Sequence, residues 1–250
     1  MRDPRFRAVV LDLFDTLVSW NPHLLPEMEI EGRRSRTTIP LLVPTLERAL
    51  GAGFRLEEFI PVYSAVIEEI EAERCASAVE ITCCERFVRT LARLSVPDPG
   101  TVLAEELTRV HMAAVRAVTS APPEHPPAVR RIGERYRLGL LSNFDDARTG
   151  REVVGDTGVM DRFEVVIISA EVELRKPHPR IFRLLLDRLD LDPHEVLFVG
   201  DNPREDVAGA HAAGIPVAWV AGKQKEFPEG IAAPNHRIAS VAELPALLGL

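Results

Sequence analysis

Residues 9–18 read VVLDLFDTLV. Val9, Val10 and Leu11 form an apolar run too short for a helix and rich in β-branched residues, so it reads as a buried strand. The run ends in a carboxylate, Asp12, followed by Leu13, Phe14, Asp15 and Thr16. A buried strand that ends in an acid carries that acid to the rim of a sheet. In open parallel sheets the ligand binds beyond that rim.

The partners of this strand lie far along the chain. Similar short apolar runs occur at Leu138–Leu141, Val165–Ile168, Val196–Val199 and Val217–Val220. Helical patterns separate them, at Pro126–Arg135, Arg180–Leu189 and Arg204–Ala213. Strands alternating with helices imply a parallel sheet covered on both faces. Between Trp20 and Ser120 the texture is helical, and no convincing strand interrupts it. Phe59, Tyr63, Val66, Ile67 and Ile70 share one helix face. Leu103, Leu107, Val110, Ala114 and Val118 share another, and Phe87, Leu91 and Leu94 suggest a third helix. The expected architecture is an α/β core of residues 1–18 and 126–250, with a helical domain of residues 19–125 inserted after the first strand. The segment APPEHPP, Ala121 to Pro127, punctuates the return to the core.

Composition narrows the function. The 250 residues are 46% hydrophobic and 27% charged, enough for one large domain or one domain with a smaller insertion. A net charge of −8 argues against nucleic acid as a main partner, because phosphate binding needs a basic face. The one dense basic cluster, Arg33-Arg34-Ser35-Arg36, reads either as a solvated loop or as a grip on an anionic substrate. Cys75, Cys83 and Cys84 have neither disulfide nor zinc spacing, and the seven histidines are scattered. No apolar run approaches the roughly 20 residues of a membrane helix, and MRDPRFR is not followed by a signal-peptide core. The expectation is a cytoplasmic protein with no membrane partner. Its apolar helical faces are open to internal packing or to a homodimer.

The chemistry should lie where strands end. Asp12 ends the first strand. Ser142-Asn143 follows Leu138–Leu141, and Gly200-Asp201 follows Val196–Val199, with Glu205 and Asp206 just beyond. Lys176 stands in RKPHP, before the helix at Arg180–Leu189. Asp12 and Asp201, brought together, repel each other unless a cation lies between them. Magnesium suits such hard oxygen ligands together with water and phosphate. A carboxylate can also attack phosphorus and form an aspartyl-phosphate. Lys176 would neutralise charge there, and the Ser142 hydroxyl would hold phosphate oxygens.

In this order the motifs LDLFDTLV, LLSNFD, RKPHPRIF and VLFVGDNPREDVAGAHAAGI resemble those of the haloacid dehalogenase (HAD) superfamily, in its helical-cap type. The closing HRIASVAELPALL is also similar to the usual end of these chains. The resemblance covers Phe6–Val18 and Val129–Leu250; over the helical insertion it is one of length and texture alone. It implies a Rossmann-like core and an α-helical cap. It implies a hydrolase acting on a small anionic substrate, with Asp12 as nucleophile, Ser142, Asn143 and Lys176 at the phosphate, and Ser142 and Lys176 in the catalytic set. It implies Mg²⁺ held by Asp12, the backbone carbonyl of Phe14 and Asp201, with Asp206 or Glu205 acting through water.

Phe14 departs from that pattern. Phosphatases of the family carry a second Asp there, which protonates the leaving group; phenylalanine has no proton to give. Positioned acid–base catalysis is worth about 10²–10⁴-fold. The carbonyl needed for the metal is kept. Three readings follow. The first is a Mg²⁺-dependent phosphatase, one suited to a substrate whose leaving group needs no proton, such as an acyl phosphate, or one that takes the proton from another group. The second is a 2-haloacid dehalogenase, since those enzymes place an aromatic residue there, although they lack the Gly-Asp acid that this chain keeps as Asp201. The third is a non-catalytic protein that binds a phosphorylated ligand. Trp20, Arg86 and His178 are further residues whose sequence context allows a place near substrate.

Overall fold

A computed structural model describes residues 6–30, 32–96, 101–222 and 226–250. The basic start, MRDPR, lies outside the described residues. The chain forms two compact units: Met1–Ser19 with Ser120–Leu250, and Trp20–Thr119.

In chain order the strands are β1 (Ala8–Leu11), β2 (Ser19–Trp20), β3 (Glu27–Ile30), β4 (Arg33–Arg36), β5 (Thr119–Ser120), β6 (Arg137–Ser142), β7 (Phe163–Ile168), β8 (Val196–Gly200), β9 (Val217–Val220) and β10 (His236–Ile238). The helices are α1 (Ile39–Leu50), α2 (Leu56–Ser77), α3 (Cys83–Arg93), α4 (Thr101–Ala117), α5 (His125–Gly133), α6 (Ala147–Asp156), α7 (Ser169–Val172), α8 (Pro179–Leu189), α9 (Gly209–Ala212) and α10 (Leu244–Leu247). Short strands β2 and β5 pair with each other.

The larger unit is an α/β fold around a six-stranded sheet in the order β10-β9-β8-β1-β6-β7. Every pairing in that sheet is parallel. Each of β1, β8 and β9 is buried along its whole length, as strands covered on both faces must be. Alternate residues feed two separate cores. Val9, Leu11, Leu138, Leu140, Leu197 and Val199 pack with α5, α6 and α10 through residues such as Val129, Ile132, Val153 and Leu244. Ala8, Val10, Ile167, Val196, Phe198 and Trp219 pack with α8 and α9 through Ile181, Phe182, Leu185 and Ala210. The chain runs from β1 to β6 and β7 on one side, then returns to β8 on the other. The end of β1 is therefore the switch point of the sheet, where open α/β folds bind ligands.

All five apolar runs expected as strands are strands. Strand β10 was not foreseen, because His236-Arg237-Ile238 is short and half polar. The helix expected at Arg204–Ala213 divides instead into a π-helical turn, Pro203–Ala208, and the short α9. The wide turn is marked by the Val207 N–H donating to the Asn202 carbonyl at 3.2 Å.

The smaller unit carries α1 to α4. Helix α3 packs on α2 and α4, and α4 also packs on α1. Phe59, Tyr63, Val66 and Ile70 of α2 are buried as expected, with Ile67 half-buried at the edge. On α4 the buried stripe is Ala104, Leu107, Met112 and Val115, continued by Val118 just past its end, with Leu103, Val110 and Ala114 half-buried beside it. A helix covered by two neighbours buries a face wider than one apolar row, and its centre shifts accordingly. Phe59, Tyr63 and Phe87 stack in succession, with ring centroids 5.4 and 5.5 Å apart.

One expectation fails here. The segment read as free of strands contains the antiparallel hairpin β3–β4. Glu27 stands opposite Arg36 and Glu29 opposite Arg34, so the acidic and basic residues share one face. Arg36 and Arg34 both pair with Glu27, at 2.9 and 3.3 Å. The basic cluster is thus largely one side of a cross-strand charge ladder. Its alternation with EMEI becomes visible only once the two segments are set side by side.

Close packing of α9 against α8 and Pro177 gives a stability prediction. A Cβ at Gly209 would meet Phe182 Cε2 at 2.7 Å and the Pro177 Cα at 3.1 Å. Gly209→Ala is expected to cost about 1–3 kcal/mol, read as a lower urea midpoint with an unchanged slope. An unchanged midpoint would show that Phe182 yields freely.

Candidate functional site

Asp12 follows β1, and its main chain is held by donating to the Val199 carbonyl of β8 at 2.8 Å. The residue is only 6% exposed. Such a carboxylate needs a partner, since unpaired buried charge is costly. Lys176 supplies it. Its Nζ donates to Asp12 Oδ1 at 2.6 Å and to Asp206 Oδ1 at 2.7 Å. Lys176 is 1% exposed, and so is Asp206.

Local structure explains how a lysine comes to be buried there. Asn143, just after β6, grips the Lys176 main chain from both sides. Its Oδ1 accepts from the Lys176 N–H at 2.7 Å, and its Nδ2 donates to the Lys176 carbonyl at 2.9 Å. Next to this, Arg175 pairs with Glu205 at 3.1 Å. Two successive residues of one loop thus bind two successive residues of the π-helical turn. Asn202 starts that turn, its Oδ1 accepting from the N–H groups of Arg204 and Glu205 at 2.9 and 3.1 Å. The other oxygen of Asp206, Oδ2, accepts from the Asn202 N–H at 2.9 Å. Gly200 makes room: a Cβ there would lie 2.3 Å from Asp206 Oδ2.

Asp201 completes the cluster. Carboxylate oxygens of Asp12, Asp201 and Asp206 lie within 4.8 Å of one another. Burial pushes the Asp12 carboxyl up to about 7, against the pull of Lys176 and with help from Asp206. Burial, and then the charges of Asp12 and Asp206, push Asp201 up to about 8, which Lys176 offsets only in part. Burial opposes charge on Lys176, yet Asp12 and Asp206 hold its ammonium above the ordinary lysine range. Three carboxylates around one ammonium leave negative charge in excess. A hard divalent cation suits that excess and those oxygen donors, so the residues present fit the expected metal.

Two buried hydroxyls, Ser142 Oγ and Thr16 Oγ1, have no hydrogen-bond partner among the described residues. Such groups are normally satisfied; Ser142 ends β6, and Thr16 stands in the turn that follows β1 and Asp12. Ser142 was expected. Thr16 was passed over, although it stands in the opening stretch four residues after Asp12; a lone Thr in a turn carries little signal.

The other candidates are placed as follows. Phe14 is half-buried and lies against Phe144, with centroids 4.7 Å apart and planes tilted by 30°. Asp15 is exposed, in the left-handed region at φ 56°. Glu205 turns to Arg175, whereas Asp206 enters the cluster. His178 caps α8, its Nδ1 accepting from the Arg180 N–H at 3.1 Å. In the smaller unit, Arg86 lies over the rings of Tyr63 and Phe87 at 6.0 and 5.9 Å, and Trp20 is 43% exposed.

A family model described as haloacid dehalogenase-like hydrolase matches residues 6–214. The chain is 30% identical over 256 residues to a phosphoserine phosphatase of Thermus thermophilus, spanning 95% of this chain and 97% of that protein. It is 31% identical over 165 residues to the pyrimidine 5′-nucleotidase YjjG of Escherichia coli, spanning 65% and 69%. Among solved structures, a 2-haloacid dehalogenase from Pseudomonas syringae superposes with a TM-score of 0.71 at 22% identity, over 98% of each chain. That last likeness is one of fold.

The charge excess has a measurable consequence. A carboxyl raised from 3.8 to about 8 makes the metal-free fold lose stability as pH climbs through that interval. Asp201→Asn removes the group that resists ionisation. In EDTA at pH 9 it is expected to raise the melting temperature by about 2–4 °C, with the gain shrinking toward pH 4. In excess Mg²⁺ the order should reverse. Equal melting at pH 9 would show that Asp201 is under no electrostatic strain.

Proposed function

The chain belongs to the haloacid dehalogenase-like hydrolases, and from that premise we propose that it is a Mg²⁺-dependent phosphatase acting on a small phosphorylated metabolite. The supporting observation is the cluster itself: Asp12, Asp201 and Asp206 around the buried ammonium of Lys176. Attack on the carbon of a haloacid needs one free carboxylate and no cation. Attack on a phosphoryl group brings in further negative charge, and an acid cluster tolerates that only with a divalent ion present. The names of the two relatives, a phosphoserine phosphatase and a pyrimidine 5′-nucleotidase, also support a small phosphomonoester as substrate. We take residues 1–18 and 126–250 as the catalytic core and 19–125 as its cap domain.

In this proposal Asp12 attacks phosphorus, the bond to the leaving oxygen breaks, and an aspartyl-phosphate results. Water then attacks the phosphorus of that acyl phosphate and breaks its bond to the Asp12 oxygen, releasing phosphate and restoring the Asp12 carboxylate. Lys176 holds Asp12 Oδ1, which leaves Oδ2 as the attacking atom. The Ser142 and Thr16 hydroxyls donate to phosphoryl oxygens, which gives each the partner it lacks. Asn143 acts through Lys176 by fixing its main chain. Asp12, the Phe14 carbonyl and Asp201 would hold Mg²⁺, with Asp206 behind them. When bound, the ion supplies charge neutralisation at the transferring group.

Phe14 favours a second reading, a 2-haloacid dehalogenase. Its ring lies on Phe144 and offers no proton to a leaving group, and halide leaves without one. The two readings separate in one assay. Phosphate release from acetyl phosphate and from an alkyl phosphate, each with Mg²⁺ and with EDTA, is expected to depend on Mg²⁺. Chloride released from 2-chloropropionate in EDTA, with no phosphate released from either phosphate substrate, would make the dehalogenase the correct reading.

Two substitutions refine the assignment. Asp12→Asn is expected to lower phosphate release by more than about 10³-fold without unfolding the protein. An active Asp12→Asn protein would remove Asp12 from the nucleophile's role. Phe14→Asp is expected to raise alkyl phosphate hydrolysis by about 10²-fold or more, with little effect on acetyl phosphate. No gain would mean that another group already protonates the leaving oxygen.

A further inference from the structure

Trp219, on β9, is fully buried in the apolar core on the face of the sheet that also receives α8 and α9. Its ring packs edge-on to Phe227 at 4.9 Å, and the Arg237 guanidinium lies 5.2 Å from its centre. A phenylalanine or leucine would fill such a place without an N–H to satisfy, whereas a buried indole must find an acceptor. The acceptor here is the main-chain carbonyl of Asp201, at 2.7 Å. Strand register makes this possible, because Trp219 on β9 pairs with Gly200 at the end of β8.

The peptide group between Asp201 and Asn202 is therefore held at both ends. Its C=O accepts from the indole, and its N–H donates to Asp206 Oδ2 at 2.9 Å. Asp206 Oδ1 in turn accepts from Lys176, which also donates to Asp12. One unbroken series of hydrogen bonds runs from a buried indole, through a single peptide plane, to the carboxylate after β1. Bonds in such a series polarise and stiffen one another.

We propose that Trp219 is a positioning residue for this site: its indole N–H fixes the Asp201–Asn202 peptide plane and thereby aims the Asp206 and Asp201 carboxylates. It touches no reacting atom. It sets the angle at which the chain leaves β8, so the Asp201 side chain turns toward Asp12 while Asp206 is held beside Lys176. A ring of similar size without the N–H leaves the Asp201 carbonyl buried and unpaired, and the peptide plane is then free to rotate.

Two measurements test this, and the first needs no metal. The chain has two tryptophans, so a Trp20→Phe protein shows a single indole ¹⁵N–¹H resonance, that of Trp219. In EDTA, adding Asp206→Asn is expected to move this resonance and to speed its solvent exchange about tenfold. A resonance that neither moves nor exchanges faster overturns the proposal. The second measurement rests on the Mg²⁺ reading above. Calorimetric Mg²⁺ affinity is expected to fall by about tenfold or more in Trp219→Phe, the usual scale for groups that orient metal ligands, and kcat should fall more than KM rises. A Trp219→Phe protein that melts lower but binds Mg²⁺ as wild type does would reduce Trp219 to packing and overturn the proposal. If the wild type binds no Mg²⁺, the metal reading fails, and the indole resonance still decides the role of Trp219. It also decides the matter if Trp219→Phe does not fold.

Discussion

Everything at this site depends on keeping an ammonium and two carboxylates out of water. Lys176, Asp12 and Asp206 are each almost wholly buried, and isolated charges in such a place would neutralise or unfold the chain. They survive because each satisfies the others at hydrogen-bond distance. The remaining polar groups nearby serve that arrangement. Asn143 holds the lysine's main chain, the Asn202 N–H meets the second oxygen of Asp206, and Gly200 leaves space for that oxygen. Removing one member of such a set is more damaging than never having built it.

The fold supplies what the charges require. Parallel strands buried on both faces end together, and at the switch point the ends of β8, β1 and β6 lie side by side. A carboxylate, a second acid cluster and a hydroxyl thus reach the same rim from three places in the chain. The π-helical turn after β8 matters in the same way. Its wider spacing lets Asp206 face inward to Lys176 while Glu205, one residue earlier, faces Arg175. In a site with excess negative charge, that difference decides which acid belongs to the cluster and which belongs to the scaffold.

The site is also unequal in its two kinds of chemistry. It is well equipped to hold charge and poorly equipped to move a proton. On one side stand three acids and an ammonium. Close to the strand end that carries Asp12 stand two aromatic rings, Phe14 and Phe144, in contact. What such a set of charges can supply is electrostatic stabilisation.

Five of the six strands of the main sheet, their parallel pairing and the candidates Asp12, Ser142, Lys176, Asp201 and Asp206 were legible in the sequence. Each follows or precedes an apolar run of fixed length, and local pattern carries that information. The hairpin β3–β4 was not legible, because its alternation of charge lies across two strands. The centre of the α4 stripe was missed because it depends on how many neighbours a helix has. Choosing Asp206 over Glu205, or finding Thr16 and Trp219, requires knowing which groups share a peptide plane or lack a partner. The sequence by itself determined which residues could do chemistry and at which strand ends they stand. Only the tertiary structure decided which of them meet, because contacts between residues 164 apart, such as Lys176 with Asp12, are set by sheet order and burial.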